Sequence, residues 1–194
     1  SEGIDRMHMR IPENQIHLLK KLHEVNPNIV GVLSAGASIE MDWEENCMAI
    51  LHGYLNGQAG AGAIAELLTG EANPCGKLAE TYPFHYEDTP AYSYFLTESR
   101  NAEYREGIYV GYRYYDTAKK EVRYPFGYGL SYTQFSYSDF DVMSDRVSFV
   151  ITNTGKYEGA EIAQMYVAKS NSLVFRAAKE LKGFKKVFLK PGES

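Results

Sequence analysis

A short apolar run, Ile29-Val30-Gly31-Val32-Leu33, set directly behind the stop Asn26-Pro27-Asn28, constrains this chain more than any other feature. A run that is continuous rather than alternating marks a strand buried on both faces of a parallel sheet. What precedes it reads as a helix. Pro12 suits a first helical turn, and Ile16, Leu19, Leu22 and Val25 recur at three-residue steps with Lys20, Lys21 and Glu24 opposite. The residue before a proline disfavours helical backbone, so Asn26-Pro27 ends that helix. The pattern then repeats. Asp42, with Glu45 three residues later, reads as a capping box; Met48 to Leu55 carries a second apolar segment into Gly57; and Gly60 to Leu68 reads as a helix ended by Gly70. Strand, helix, strand, helix implies right-handed parallel crossovers. The expected fold class for residues 1–82 is α/β, part of an open, mostly parallel α/β sandwich. It holds few strands for such a sheet, so further strands are expected upstream of Ser1.

Two further zones follow. Residues 83–135 form a Tyr/Gly/Pro-rich connecting segment with little periodicity, expected to close the α/β domain. Of the 16 tyrosines in the chain, 13 fall between Tyr82 and Tyr137. Large amphipathic rings of this kind either pack irregular loops, with their hydroxyls on backbone partners, or stack on a flat sugar face. Residues 136–194 alternate: Val147, Phe149 and Ile151 point one way, Asn153-Thr154-Gly155 makes a turn, and Ile162 to Val167 and Leu181 to Leu189 read as strands. Short strands between turns suggest an antiparallel β-sandwich, but about seven strands and about 100 residues are needed for one. This one is expected to be incomplete.

Composition excludes several classes. Twenty basic against 25 acidic residues leave a formal charge of −5, which gives no footprint for nucleic acid or an anionic membrane. No apolar run approaches a bilayer span, and no charged-then-apolar leader opens the chain; its cellular location stays open between cytoplasm and export. Cys47 and Cys75 could form at most one bridge, and neither they nor the five histidines show metal-ligand spacing. No metal and no cofactor is expected. Gly60-Ala61-Gly62-Ala63-Ile64-Ala65 fits the dinucleotide fingerprint G-x-G-x-x-A, with Glu80 as a distant ribose-binding candidate. Its competing explanation is that small residues let the helix pack closely. The serines have no nucleophile-elbow setting.

Longer motifs narrow the field. Asn26 to Leu33 followed by Gly36, Gly57 to Ala65 (GQAGAGAIA), Leu68-Thr69-Gly70 and Asn73 to Leu78 (NPCGKL) resemble, in order, the C-terminal half of glycoside hydrolase family 3, the β-glucosidase and β-xylosidase family. So do Tyr104 to Asp116 (YREGIYVGYRYYD) and Tyr124 to Thr133 (YPFGYGLSYT). Thr152 to Gly155, Gly159 to Val167 (GAEIAQMYV) and Leu181 to Phe184 resemble the opening strands of its fibronectin type III-like domain.

The resemblance implies a TIM-like barrel, an α/β sandwich and often a fibronectin type III-like β-sandwich in one enzyme, the last of them expected to be truncated in these residues. It implies retaining hydrolysis, with an aspartate nucleophile on the barrel and a glutamate from the α/β sandwich as acid and then base. Two carboxyl groups about 5–5.5 Å apart must flank the scissile bond, one of them protonated. Ser1-Glu2-Gly3-Ile4-Asp5-Arg6 resembles the segment that carries that acid/base, which makes Glu2 the catalytic candidate. Glu106 and Asp116 lie in matched motifs as structural hydrogen-bonding or ion-pair groups, and Asp5 and Arg6 as groups that hold the loop. Cys75 replaces the family's usual serine in a turn. The expected function is a portion of an exo-acting β-glycosidase, a β-glucosidase first and a β-xylosidase second, inactive without the barrel. Its partners are then a β-linked oligosaccharide or glycoside and the TIM-like barrel of the same enzyme. A non-catalytic carbohydrate-binding or interdomain module is the alternative from another class.

Overall fold

The computed structural model describes residues 5–95 and 101–194. In chain order these form α1 (Glu13–Val25), β1 (Val30–Leu33), a 3-10 turn (Glu44–Asn46), β2 (Ala49–His52), α2 (Gly60–Thr69) and a second 3-10 turn (Tyr86–Asp88). Then come α3 (Tyr112–Ala118), β3 (Phe135–Val142), β4 (Val147–Asn153), β5 (Gly159–Val167) and β6 (Glu180–Leu189). The chain divides into two units: Ser1–Gly60 with Ala79–Phe126 and Ala168–Glu180, and Ala61–Leu78 with Gly127–Val167 and Leu181–Ser194. Among the described residues no helix is long and apolar enough to cross a membrane, and both cysteines are free thiols.

In the first unit β1 and β2 pair in parallel, Val30 opposite Ala49 through Leu33 opposite His52. The strand is not buried on both faces, however. Val30 and Val32 are 49% and 44% exposed, while Gly31 and Leu33 are half-buried, because the described residues cover one side of this ribbon only. The inner line of α1 also differs from the expected one. Ile16, Leu19 and His23 are half-buried, whereas Leu22 and Val25 are exposed. Strict three-residue steps rotate away from a 3.6-residue stripe, and His23 takes the inward position with Nδ1 3.1 Å from the Asn46 carbonyl.

The capping box at Asp42 and Glu45 does not form. Both side chains stay exposed, and Trp43 leads into a single 3-10 turn. The Trp43 indole donates to the Glu40 carbonyl at 3.1 Å and the Asn46 amide donates to the Trp43 carbonyl at 3.0 Å, which keeps the turn short. The core of this unit therefore sits on Ile39, Met41, Trp43, Tyr82 and Tyr115, all 1–6% exposed, rather than on the strands. The expected featureless segment contains α3, whose polar tyrosine-rich sequence carries no apolar stripe to reveal it; Tyr115 is its buried residue.

In the second unit β3 and β4 are antiparallel, Phe135 opposite Asn153, with a bulge between Ser138 and Asp141. Phe149 lies between Tyr137 and Phe140, its ring centroid 5.8 and 5.7 Å from theirs. β5 and β6 pair separately. The turn after β4 closes where the Gly155 amide donates to Asn153 Oδ1 at 3.1 Å.

Candidate active site

Glu2 lies, with Ser1, Gly3 and Ile4, outside the described residues. The segment that continues from it is described and is tied down at several points. Arg6 Nη2 donates to the Arg10 carbonyl at 3.3 Å, and the Arg10 amide donates to His8 Nδ1 at 3.2 Å, which closes residues 6–10 into a local turn. The Met9 carbonyl accepts from the Glu40 amide at 2.8 Å. Arg10 Nε donates to Glu40 Oε2 at 3.2 Å. Glu40 Oε1 accepts from the Tyr86 amide at 3.0 Å. Asp5 stays exposed.

Glu40 is thus 8% exposed, with its amide, its carbonyl and both carboxylate oxygens engaged. Alternation along Ile39-Glu40-Met41-Asp42-Trp43 would send Glu40 outward with Asp42, and only the structure reveals that it turns in. The run around it gathers other segments of the same unit. The Ser38 amide donates to Glu80 Oε2 at 2.9 Å. Glu44 accepts from Arg123 Nη1 at 2.8 Å and from the Tyr124 hydroxyl at 2.6 Å. Glu80 is therefore a backbone-binding carboxylate here.

At the C-terminal end of β2 a small buried cluster follows. The Tyr82 hydroxyl and His52 Nε2 are 2.8 Å apart, and the Tyr54 ring lies 3.8 Å from the imidazole. Burial, and after it the charge of Glu80, drives the Tyr82 phenol pKa well above the usual tyrosine range, so Tyr82 stays un-ionised in this contact. His52 Nδ1 lies 3.3 Å from the Leu33 carbonyl and 3.4 Å from the Tyr54 amide nitrogen. Burial raises the Tyr54 phenol pKa as well.

The remaining motif residues form scaffold contacts. Asp116 pairs with Lys179 at 3.3 Å, and Glu106 is half-buried, its carbonyl accepting from the Tyr109 amide at 2.9 Å. In the second unit Asn73 Oδ1 accepts from the Ser131 hydroxyl at 2.8 Å and the Tyr132 amide at 2.9 Å, and Asn73 Nδ2 donates to the Glu158 carbonyl at 3.0 Å. Lys77 donates to the Gly129 carbonyl at 2.9 Å and pairs with Glu161 at 3.1 Å. These bonds explain why the NPCGKL and PFGYGLSYT stretches read as motifs at all: each supplies the other's partners. Several tyrosine hydroxyls likewise find protein acceptors, Tyr132 on the Leu67 carbonyl at 2.7 Å and Tyr137 on Glu161 at 3.1 Å, so these rings serve packing. Among the described residues no three His, Cys, Asp or Glu side chains converge as a metal site would require. At the start of the G-x-G-x-x-A stretch, a Cβ on Gly60 would fall 2.2 Å from Asn56 Cβ, so close packing accounts for that glycine.

Comparison with known proteins agrees along the chain. Residues 1–132 match the glycosyl hydrolase family 3 C-terminal domain, and residues 161–194 match a fibronectin type III-like domain. The thermostable beta-glucosidase B of Acetivibrio thermocellus is 52% identical over 201 residues, covering all of this chain and 27% of that protein. An exo-alpha-(1->6)-L-arabinopyranosidase of Bifidobacterium breve is 43% identical, again across the whole chain and 26% of its own length. The crystal structure of a family 3 beta-glucosidase from Bifidobacterium adolescentis superposes with a TM-score of 0.95 at 44% identity, covering all of this chain and 30% of that one. The chain thus spans about a quarter of the length of the curated relatives it matches. On these matches the chain belongs to glycosyl hydrolase family 3, of which it carries the C-terminal α/β domain and fibronectin type III-like sequence.

Proposed function

We propose that this chain is the acid/base-bearing portion of a retaining, exo-acting β-glycosidase whose substrates are terminal β-glucosides. The observation that carries the reading is full-length coverage of the chain by a beta-glucosidase at 52% identity, together with the Ser1-Glu2-Gly3-Ile4-Asp5-Arg6 segment. In this reading the Glu2 carboxyl is protonated when substrate binds and gives its proton to the leaving glycosidic oxygen as an aspartate on a TIM-like barrel attacks the anomeric carbon. Once the aglycone has left, the same group, now a carboxylate, takes a proton from the incoming water, which releases the sugar with retained configuration. Residues 1–82 and the segment 83–135 belong to the α/β domain and 136–194 to the fibronectin type III-like domain; the family matches end and begin on either side of residue 136. A second reading keeps the chemistry and changes the sugar, to a β-xyloside or an arabinopyranoside, because a relative named for arabinopyranoside cleavage shares this region at 43% identity. Sugar choice then lies mainly with the barrel.

The test uses the full-length protein. Glu2→Ala should lower kcat/KM on an alkyl or disaccharide β-glucoside by about 10²–10⁴-fold. It should slow a dinitrophenyl glucoside far less at the glycosylation step, since that leaving group needs no proton. Added azide should then give a β-glucosyl azide product. Equal loss on both substrates refutes the acid/base assignment. The 194 residues alone should not hydrolyse an aryl β-glucoside; turnover by them would favour a different catalytic constellation.

A further inference from the structure

We infer that Glu40 is a positioning residue for the catalytic carboxyl of Glu2, acting through Arg10; this rests on the acid/base reading above. The argument begins with where Glu40 stands. A carboxylate that is 8% exposed is costly to bury unless it is paired and hydrogen-bonded. Here the two oxygens are divided between two segments of the chain. Oε1 accepts from the Tyr86 amide at 3.0 Å, a group fixed by its backbone, and Oε2 accepts from Arg10 Nε at 3.2 Å.

The pair is lopsided. The Arg10 side chain is 67% exposed and that of Glu40 is 10% exposed. An arginine this open adds little to global stability, so the consequence of the contact is geometric. Glu40 sits beside Ile39, Met41 and Trp43, buried core residues of the first unit, and Arg10 ties that buried run to a segment with no helix or strand of its own. The backbone reinforces the direction of control. The Glu40 amide donates to the Met9 carbonyl at 2.8 Å, and Arg6 folds back onto the Arg10 carbonyl at 3.3 Å. The restraint therefore extends to Arg6, four positions from Glu2. A general acid loses rate steeply when displaced by about 1 Å, so a segment anchored this close sets how well it works without touching substrate.

The test is made in the full-length protein with Arg10→Met, which keeps the stem and removes the fork, and Glu40→Gln, which keeps the shape and removes the charge. Each should lower kcat/KM on an alkyl β-glucoside about tenfold, a part of the 10²–10⁴-fold carried by a general acid, and change that on a dinitrophenyl glucoside less than about threefold. In a Glu2→Ala background the Arg10→Met effect should vanish, because it acts through the missing group. A loss equal on both substrates, or one that persists undiminished in the Glu2→Ala background, overturns the positioning role. If Glu40→Gln does not accumulate as folded protein, Arg10→Met decides alone. Failure of the underlying reading looks different: Glu2→Ala itself would then show no leaving-group dependence. A leaving-group-dependent Glu2→Ala beside an indifferent Arg10→Met removes only the role of Glu40.

Discussion

Replacing Asn153 by alanine should be among the most damaging single changes to the second unit. This residue is fully buried, at 0% exposed, and each hydrogen-bonding position of its side chain is used. Oδ1 accepts from the Thr133 hydroxyl at 2.8 Å and the Gly155 amide at 3.1 Å; Nδ2 donates to the carbonyls of Tyr157 at 2.8 Å and Leu189 at 2.9 Å. The Thr133 and Leu189 partners are buried, so orphaning each costs about 1–3 kcal/mol; the Gly155 and Tyr157 ends are nearer water and cost about 0.5–1 kcal/mol each. The expected loss is about 3–8 kcal/mol, a large share of the ~5–15 kcal/mol that holds a domain. Urea unfolding followed by far-UV circular dichroism reads it. The single tryptophan, Trp43, belongs to the first unit, so its fluorescence separates a local loss from a general one. Asn153→Asp sharpens the test, because it keeps Oδ1 and points a second oxygen at two carbonyls. Burial and those carbonyls raise the introduced carboxyl's pKa above its unfolded value. Its neutral form is thus favoured in the folded state at low pH, and that stability is lost as pH rises through the raised pKa. A penalty below about 1 kcal/mol for Asn153→Ala, or an Asn153→Asp variant as stable as the parent at pH 7, would refute this account.

Three other outcomes follow from the structure. Gly129→Ala should cost about 1–3 kcal/mol, since its Cβ would fall 2.2 Å from the Gly76 carbonyl oxygen; Gly62→Ala, with nothing within 4 Å, should be neutral or stabilising by up to about 1 kcal/mol in the same urea unfolding. The Lys120 ammonium, 2.9 Å from Asp88, and the His85 amide hold the Asp88 carboxyl below its ordinary range. Its stabilising contribution is therefore present above the unfolded carboxylate pKa and lost as pH falls through the lowered one. Lys120→Met should cost up to about 1 kcal/mol at pH 7, and that cost should shrink as pH falls through the lowered carboxyl pKa, by urea midpoints across an acid pH series.

How much of this was legible in the sequence depended on which physical signal a residue leaves behind. The parallel pairing of Val30–Leu33 with Ala49–His52 followed from continuous apolar runs, because such runs report a strand whatever covers it. Covering itself was not legible: Val30 and Val32 read as core and are half-exposed, since burial belongs to neighbours that a local pattern does not contain. His23 shows the same limit, as a polar ring that takes an inward position once its nitrogen finds a carbonyl. The carboxylates divided similarly. Glu2 became a candidate by motif alone, and the burial of Glu40 left no sequence signal, because its three-segment bonding joins positions 30 and 46 residues away. Asn153 was legible as a turn residue and illegible as a buried hub.

The interleaving of the two units also bears on how the polypeptide is made. Residues 61–78 belong with a stretch that begins only at Gly127, after 48 intervening residues. At ~5–20 residues per second of synthesis, α2 and the Asn73 turn wait roughly 2–10 s for their partners. During that interval the apolar side of α2, with Ile64 and Leu67, stands open on a nascent chain. A ribosome-associated chaperone would meet this protein there, in the window between one half of a unit and the arrival of the other.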